Sequence, residues 1–290
     1  MLLMADDSVL MATMDAACAD WLVEVPLGQP RIEIALTLGD GETAGTSTEG
    51  LSAAIRAVGS RLTISGGGIE GWADAVTGRA ACIVPRRYLG RPAALAEEVL
   101  DPLMLFLLTR TGGRTPLHAA GVMIGDTAWA LAGRSGAGKS TLALCAAGRG
   151  LPVLSDDSVY VQMAPRLRIW GFDRPIHILP DEAPPGDHAM RLRGGRHKAA
   201  LDLPRGVAGV RHADRAQLVL LARGPRPALE RVTPDLAIAQ LARLDEGFDL
   251  LAQASAQAVV ALAAQGAWRL TLSDDPQAAL DLLVAQAAAG

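Results

Sequence analysis

Apolar and polar residues alternate from Arg31 to Leu38, with Ile32, Ile34, Leu36 and Leu38 on one face. That alternation predicts a half-buried strand. The Gly- and Thr-rich stretch from Gly39 to Gly50 reads as a loop, and Arg61 to Ser65 and Ala80 to Val84 as short strands around Gly66-Gly67-Gly68. From Glu97 to Arg110 the chain is strongly apolar and predicts a helix. Asp101-Pro102 inside it suits an N-cap followed by proline at the first helical position, so a break or restart is expected there. Gly112-Gly113 then ends the segment. Residues 1 to 112 thus predict a small α+β domain without a recognisable chemical motif.

The pattern changes after Thr115. Leu117 to Ile124 predicts one apolar strand, Gly125-Asp126 a turn, and Ala128 to Ala132 a second strand. A Gly-rich loop, a helix from Thr141 to Ala147 and a strand from Leu151 to Leu154 follow, an order that predicts a parallel β-α-β unit. Further strands are expected at Leu167 to Trp170, Ile176 to Leu179, Gln217 to Leu221 and Ala267 to Leu272. Helices are expected from Pro234 to about Ala264 and from Asp275 to Ala288. Residues 113 to 290 therefore read as an α/β domain.

Composition narrows the classes. Half of the 290 residues are hydrophobic and the mean hydropathy is +0.24, which excludes a disordered chain. A net charge of −4 argues against a general nucleic-acid binder. The longest uncharged stretch of interest, Leu250 to Trp268, carries Gln253, Ser255, Gln257 and Gln265 and is too polar to span a membrane. The N-terminus lacks a basic segment before a long apolar one, so a cytoplasmic protein is expected. Cys18, Cys82 and Cys145 are far apart and read as small buried apolar residues. Only two of the 27 basic residues are lysines, Lys139 and Lys198, which makes each of them informative.

One of those lysines closes the segment Gly133-Arg134-Ser135-Gly136-Ala137-Gly138-Lys139-Ser140, followed by Thr141. It fits the pattern G-x-x-x-x-G-K-[ST] between a strand and a helix, the P-loop. Glycines there let the backbone turn its N–H groups onto phosphate oxygens, and the helix N-terminus faces the same anion. Lys139 supplies charge to the β- and γ-phosphates, and the Ser140 hydroxyl ligates Mg²⁺. ATP and Mg²⁺ are the expected cofactors. His118 lies 21 residues before Lys139, and Asp157, the second of the pair Asp156-Asp157, 18 residues after it. Adjacent carboxylates at a strand end project in different directions, so one can face a metal while the other faces an incoming hydroxyl.

The layout L-H-A-A-G-V, A-G-R-S-G-A-G-K-S-T, L-S-D-D-S-V resembles the core of the HPr kinase/phosphorylase family over about Pro116 to Tyr160. The resemblance implies a P-loop-containing, HPr kinase-like α/β core preceded by the small α+β domain. It implies transfer of the γ-phosphate of ATP to a protein serine. Asp157 would then accept the serine proton, His118 would assist it, and Ser140 and Asp156 would stand beside the metal. The downstream motifs of the bifunctional members are missing, which puts phosphorolysis in doubt. Asp181-Glu182 lies near where those enzymes place another Mg²⁺-binding acid, but its surroundings differ and it also reads as a solvated turn. The basic segment from Arg191 to Leu203, with Arg196 and Lys198, reads either as a mobile loop clamping phosphates or an anionic substrate group, or as a solvated loop.

The shortened core looks more like the HPr-kinase-like enzymes of bacterial peptide biosynthesis, such as lasso peptide kinases. That implies a serine-bearing peptide or protein as partner, with no nucleic acid or membrane, and homo-oligomers in related enzymes. HPr kinase/phosphorylase proper, a non-catalytic ATP-binding regulator and a small-molecule kinase are the alternatives left open.

Overall fold

The computed structural model describes residues 2–18, 32–39, 53–111, 113–171, 175–193, 196–202, 212–241 and 252–289. The chain divides into two compact units, Met1–Arg114 and Thr115–Gly290.

In the first unit, β1 (Leu2–Ala5) and α1 (Ser8–Cys18) precede β2 (Glu33–Leu38), β3 (Ala54–Val58), β4 (Arg61–Gly66), β5 (Ile69–Asp74) and β6 (Arg79–Val84). The strands form one sheet in the order β1-β2-β6-β5-β4-β3, parallel from β1 to β6 and antiparallel beyond. The alternation read from the sequence is the reason for its sidedness. Ile34 and Leu36 of β2, Leu62 and Ile64 of β4, and Ala80, Cys82 and Val84 of β6 are all buried. Each such aliphatic side chain withdrawn from water stabilises the fold by about 1.5–3 kcal/mol. Asp7 caps α1, its Oδ1 accepting from the N–H of Val9 and of Leu10 at 2.9 Å each.

A helical run follows, made of α2 (Pro92–Leu95), a π-helical turn (Ala96–Leu100) and α3 (Asp101–Thr111). The expected N-cap at Asp101 is a correction: the residue is itself helical, with φ −60° and ψ −50°. Pro102 has no N–H and would crowd the carbonyl one turn back in a regular helix; the widened turn before it absorbs the misfit without a break.

The second unit is built on the sheet β10-β8-β9-β17-β19-β18. The strands of this part of the chain are β7 (Arg114–Leu117), β8 (Ala119–Ile124), β9 (Thr127–Ala132), β10 (Val153–Ser155), β11 (Val159–Gln162), β12 (Arg168–Trp170), β13 (Ile176–Ile178), β14 (Ala189–Arg193), β15 (Arg196–Leu201), β16 (His212–Ala213), β17 (Arg215–Arg223), β18 (Ala228–Arg231) and β19 (Ala267–Leu272); β7, β11, β12 and β16 form a second sheet and β13, β14 and β15 a third. Its helices are α4 (Lys139–Gly148), α5 (Pro234–Leu241), α6 (Ala252–Gln265) and α7 (Pro276–Ala289).

Every residue of β8 is buried, because both faces of the central sheet are covered. Val122, Trp129 and Leu131 face a core with Leu142 and Ala146 of α4 and Leu280 and Leu283 of α7. Ala119, Ala128 and Ala130 face the other core, with Leu262 of α6 and Val159 and Ile169 of β11 and β12. Gly121 of β8 allows a close approach: a Cβ there would meet Val159 Cγ1 at 2.9 Å and Leu154 Cβ at 3.0 Å.

Three expectations change here. Leu117 to Ile124 is two strands, not one: β7 belongs to the sheet β16-β12-β11-β7, β8 to the central sheet, and His118 stands at the break. The β-α-β unit exists, but β8 lies between its two strands and pairs antiparallel with both, so β9 and β10 run parallel without touching. The basic segment expected to be a loop is mostly strand, β14 and β15 pairing antiparallel beside β13. Residues 40–50, most of the Gly- and Thr-rich loop, and 242–251 of the long expected helix lie outside the described residues.

Candidate active site

β9, β17 and β19 are parallel, and β10 runs with them. Their carboxyl ends therefore share one edge of the sheet, where ligands of open α/β sheets collect. β8 runs the other way, so its beginning lies at that same edge. The topology thus assembles the loop after β9, Asp156-Asp157 after β10, and His118 before β8.

The loop from Gly133 to Gly138 leads straight into α4, whose N-cap is Gly138 with φ +104°. Gly136 is also left-handed, at φ +77°. A side chain is strained at both positions. Gly133 packs against Leu221, whose Cβ would lie 3.2 Å from an added Cβ. No side chain caps α4 and no acidic residue stands in its first turn. Its first N–H groups and the positive end of its dipole thus form an anion site. Lys139 is only 7% exposed, and its ammonium donates to the carbonyls of Gly133 at 2.7 Å and Arg134 at 3.2 Å. Arg134, Ser135 and Gly136 form the exposed crest of the loop, while Ala137 is half-buried.

Asp156 and Asp157 point apart. Asp156 is 6% exposed, and its Oδ2 accepts from the backbone N–H of His177 in β13 at 2.9 Å. The Ser140 hydroxyl bonds to the same carboxylate. Burial, the largest influence, pushes its pKa up; the His177 and Ser140 hydrogen bonds and the charge of Lys198 oppose that, and Asp157 adds to it. Its Oδ1 is buried without a hydrogen-bond partner. A hydroxyl and a carboxylate oxygen with unused acceptor capacity, beside a phosphate loop, is a donor set that fits Mg²⁺, which needs few protein ligands when phosphates and water supply the rest. Among the described residues no cluster of three His, Cys, Asp or Glu side chains could hold a metal alone.

The side chain of Asp157 is 76% exposed, and its Oδ1 lies 3.5 Å from Nδ1 of His118. An exposed carboxylate oriented by a histidine is the geometry of a base for an incoming hydroxyl. Thr141, next to Ser140, donates to Oε2 of Glu182 at 3.0 Å, which brings the 181–183 turn onto the start of α4.

Lys198 of β15 is half-buried and its charge reaches Asp156, whereas Arg196, two residues away on the same strand face, is exposed. Lys198 stands opposite Arg191 of β14. Two neighbours of these residues were not read from the sequence: His177, scattered among the other histidines, donates its backbone N–H to Asp156, and Arg223 stands at the carboxyl end of β17, beside Gly138. The strand expected at Gln217 to Leu221 stopped two residues short of Arg223. Extending it along the parallel sheet edge was the signal that could have found that residue.

No protein-family model matches this chain, and no curated protein matches it. Among solved structures, the Hpr(Ser) kinase/phosphatase from Coxiella burnetii is similar at 12% identity, over 60% of this chain and 96% of that one, with a TM-score of 0.33. A likeness at that TM-score does not fix a fold family, and the chemistry rests on the side chains of the site. Among the described residues no helix is long and apolar enough to cross a membrane.

Proposed function

We propose that the protein is an ATP- and Mg²⁺-dependent kinase that transfers the γ-phosphate to a serine hydroxyl of a peptide or protein. The observation that carries this reading is the division of labour in Asp156-Asp157: one carboxylate buried against Ser140, the other exposed and 3.5 Å from His118. A nucleotide-binding regulator needs the first and has no use for the second.

In this reading the loop amides and Lys139 hold the phosphates of ATP. Ser140 and Asp156 would hold Mg²⁺, which would supply charge neutralisation for the transferred phosphoryl group. The acceptor hydroxyl approaches on the exposed side of Asp157. Its oxygen bonds to the γ-phosphorus as the bond to the bridging oxygen breaks; its proton passes to Asp157, and ADP leaves with the bridging oxygen. His118 orients Asp157 and stabilises its charge before transfer. The acceptor is a precursor peptide of lasso peptide biosynthesis; this step rests on the sequence resemblance.

The test is mass spectrometry after incubation with ATP and Mg²⁺ and two acceptors: a precursor peptide ending in serine, and the phosphocarrier HPr. A gain of about 80 Da, one phosphoryl group, on the peptide alone and absent with Asp157→Asn supports the reading. A gain on HPr moves the assignment to HPr kinase/phosphorylase. Bound ATP with no gain on either acceptor favours the regulator.

A further inference from the structure

The phosphate loop has a neighbour that its own motif does not include. β17 runs past the end of β9: Leu220 is opposite Ala132, so Leu221 stands beside Gly133 and Arg223, two residues on and on the same face, reaches Gly138. A Cβ on Gly138 would come within 3.3 Å of Arg223 Nη2 and 2.8 Å of Leu272 Cδ1. The guanidinium therefore lies against the residue that begins α4 and precedes Lys139.

This is an unfavourable place for a further cation. The uncapped helix end is already positive, and the Lys139 ammonium is held in the same loop. Arg223 is exposed, and among the described residues no hydrogen bond or ion pair offsets its charge. A fixed concentration of like charge at one end of a sheet is favourable only when an anion is shared among its members. At the start of the same helix Ser140 bonds to the Asp156 carboxylate, whose Oδ1 is buried without a hydrogen-bond partner.

We propose that Arg223 is a second phosphate-binding cation of this site, reaching the β- and γ-oxygens of a nucleoside di- or triphosphate from the β17 side. This rests on the nucleotide reading above. A planar guanidinium can take two phosphate oxygens at once, which the point charge of a lysine cannot.

The experiment is isothermal titration of the full chain with MgATP and MgADP, using wild type, Arg223→Ala, Arg223→Lys, Lys139→Ala and Arg226→Ala. Arg226 lies exposed in the turn after β17, so its loss removes the same net charge from a neighbouring position on the same connection. Arg223→Ala is expected to weaken both nucleotides about tenfold or more, with Arg223→Lys recovering part of the loss and Arg226→Ala binding as wild type does. The thermal midpoint without nucleotide stays the same in Arg223→Ala, while the rise that MgATP gives wild type shrinks. Binding by Arg223→Ala within about twofold of wild type overturns the inference, provided Lys139→Ala does lose affinity. If wild type shows no binding and Lys139→Ala is no different, the nucleotide reading falls and this inference falls with it.

Discussion

The two units bury apolar residues in the same manner and differ in what else they bury. Before residue 115, the buried polar or charged side chain among the described residues is Thr13, whose hydroxyl donates to Val9 O at 2.7 Å. From residue 115 on there are Thr115, Lys139, Ser155 and Asp156, and the last three adjoin the phosphate loop or the strand facing it. Desolvating a lysine or an aspartate costs several kcal/mol unless something compensates. Among the described residues the second unit thus buries a lysine and an aspartate, whereas the first unit buries no charged side chain.

The difference can be broken or sharpened at chosen residues. The largest effect is expected for Asp157→Asn, which removes a base from an exposed site: phosphoryl transfer falls by about 10²- to 10⁴-fold while the unfolding midpoint in urea stays at the wild-type value. Leu36→Ala does the reverse. It opens a cavity where the side chain is 1% exposed, so about 2–5 kcal/mol of stability is lost in urea titration, with MgATP affinity unchanged for the protein still folded. Gly71→Ala in β5 is smaller. Its Cβ would meet Cys82 Sγ at 2.7 Å and Ala81 O at 2.9 Å, and overpacking of this kind costs about 1–3 kcal/mol.

Asp156→Asn separates function from stability. Burial raises the folded-state pKa of Asp156 above its unfolded value. Stability is therefore lost as pH rises from the ordinary carboxylate range through the raised folded value. The asparagine variant lacks that loss and should melt above wild type at pH 8 and together with it at pH 4, while losing its Mg²⁺-dependent activity. The smallest effect belongs to the first unit. Burial pushes the Cys82 thiol from 9.0 to about 12, and burial with the Glu98 hydrogen bond pushes Tyr88 from 10.0 to about 12. Both hold their protons more tightly when folded. Stability is thus lost between about pH 9 and 12 as the unfolded chain releases them. Cys82→Ala should flatten part of that decline in alkaline melts.

Regular periodicity made much of this legible. Ala267 to Leu272 coincides with β19, and the alternation of Ile32, Ile34 and Leu36 reports the buried face of the first sheet. The loop sequence located its helix to within two residues. What stayed hidden depended on long-range pairing. A uniformly apolar run through His118 carries no mark of where the chain leaves one sheet for another. A basic, glycine-containing segment looks like a loop until β13 offers β15 an edge to pair with. The neighbours of Asp156 come from 140, 177 and 198, and no local pattern relates those numbers. Helix α1 carries no clear periodicity in the sequence, because its four buried residues, Leu10, Thr13, Met14 and Cys18, are mixed with small ones.

The break at His118 has a consequence for how such a site can change over time. The residue belongs to neither β-ladder, between the last residue of one sheet and the first of another. Replacing it removes no pairing register and empties no core position. Asp157 follows a strand end, and its side chain is 76% exposed. The pair that would choose and activate the acceptor is thus the cheapest part of the second unit to rewrite, while the phosphate loop beside it is locked by left-handed glycines and close packing. Descendants of such a chain could exchange one acceptor for another while keeping the same nucleotide grip.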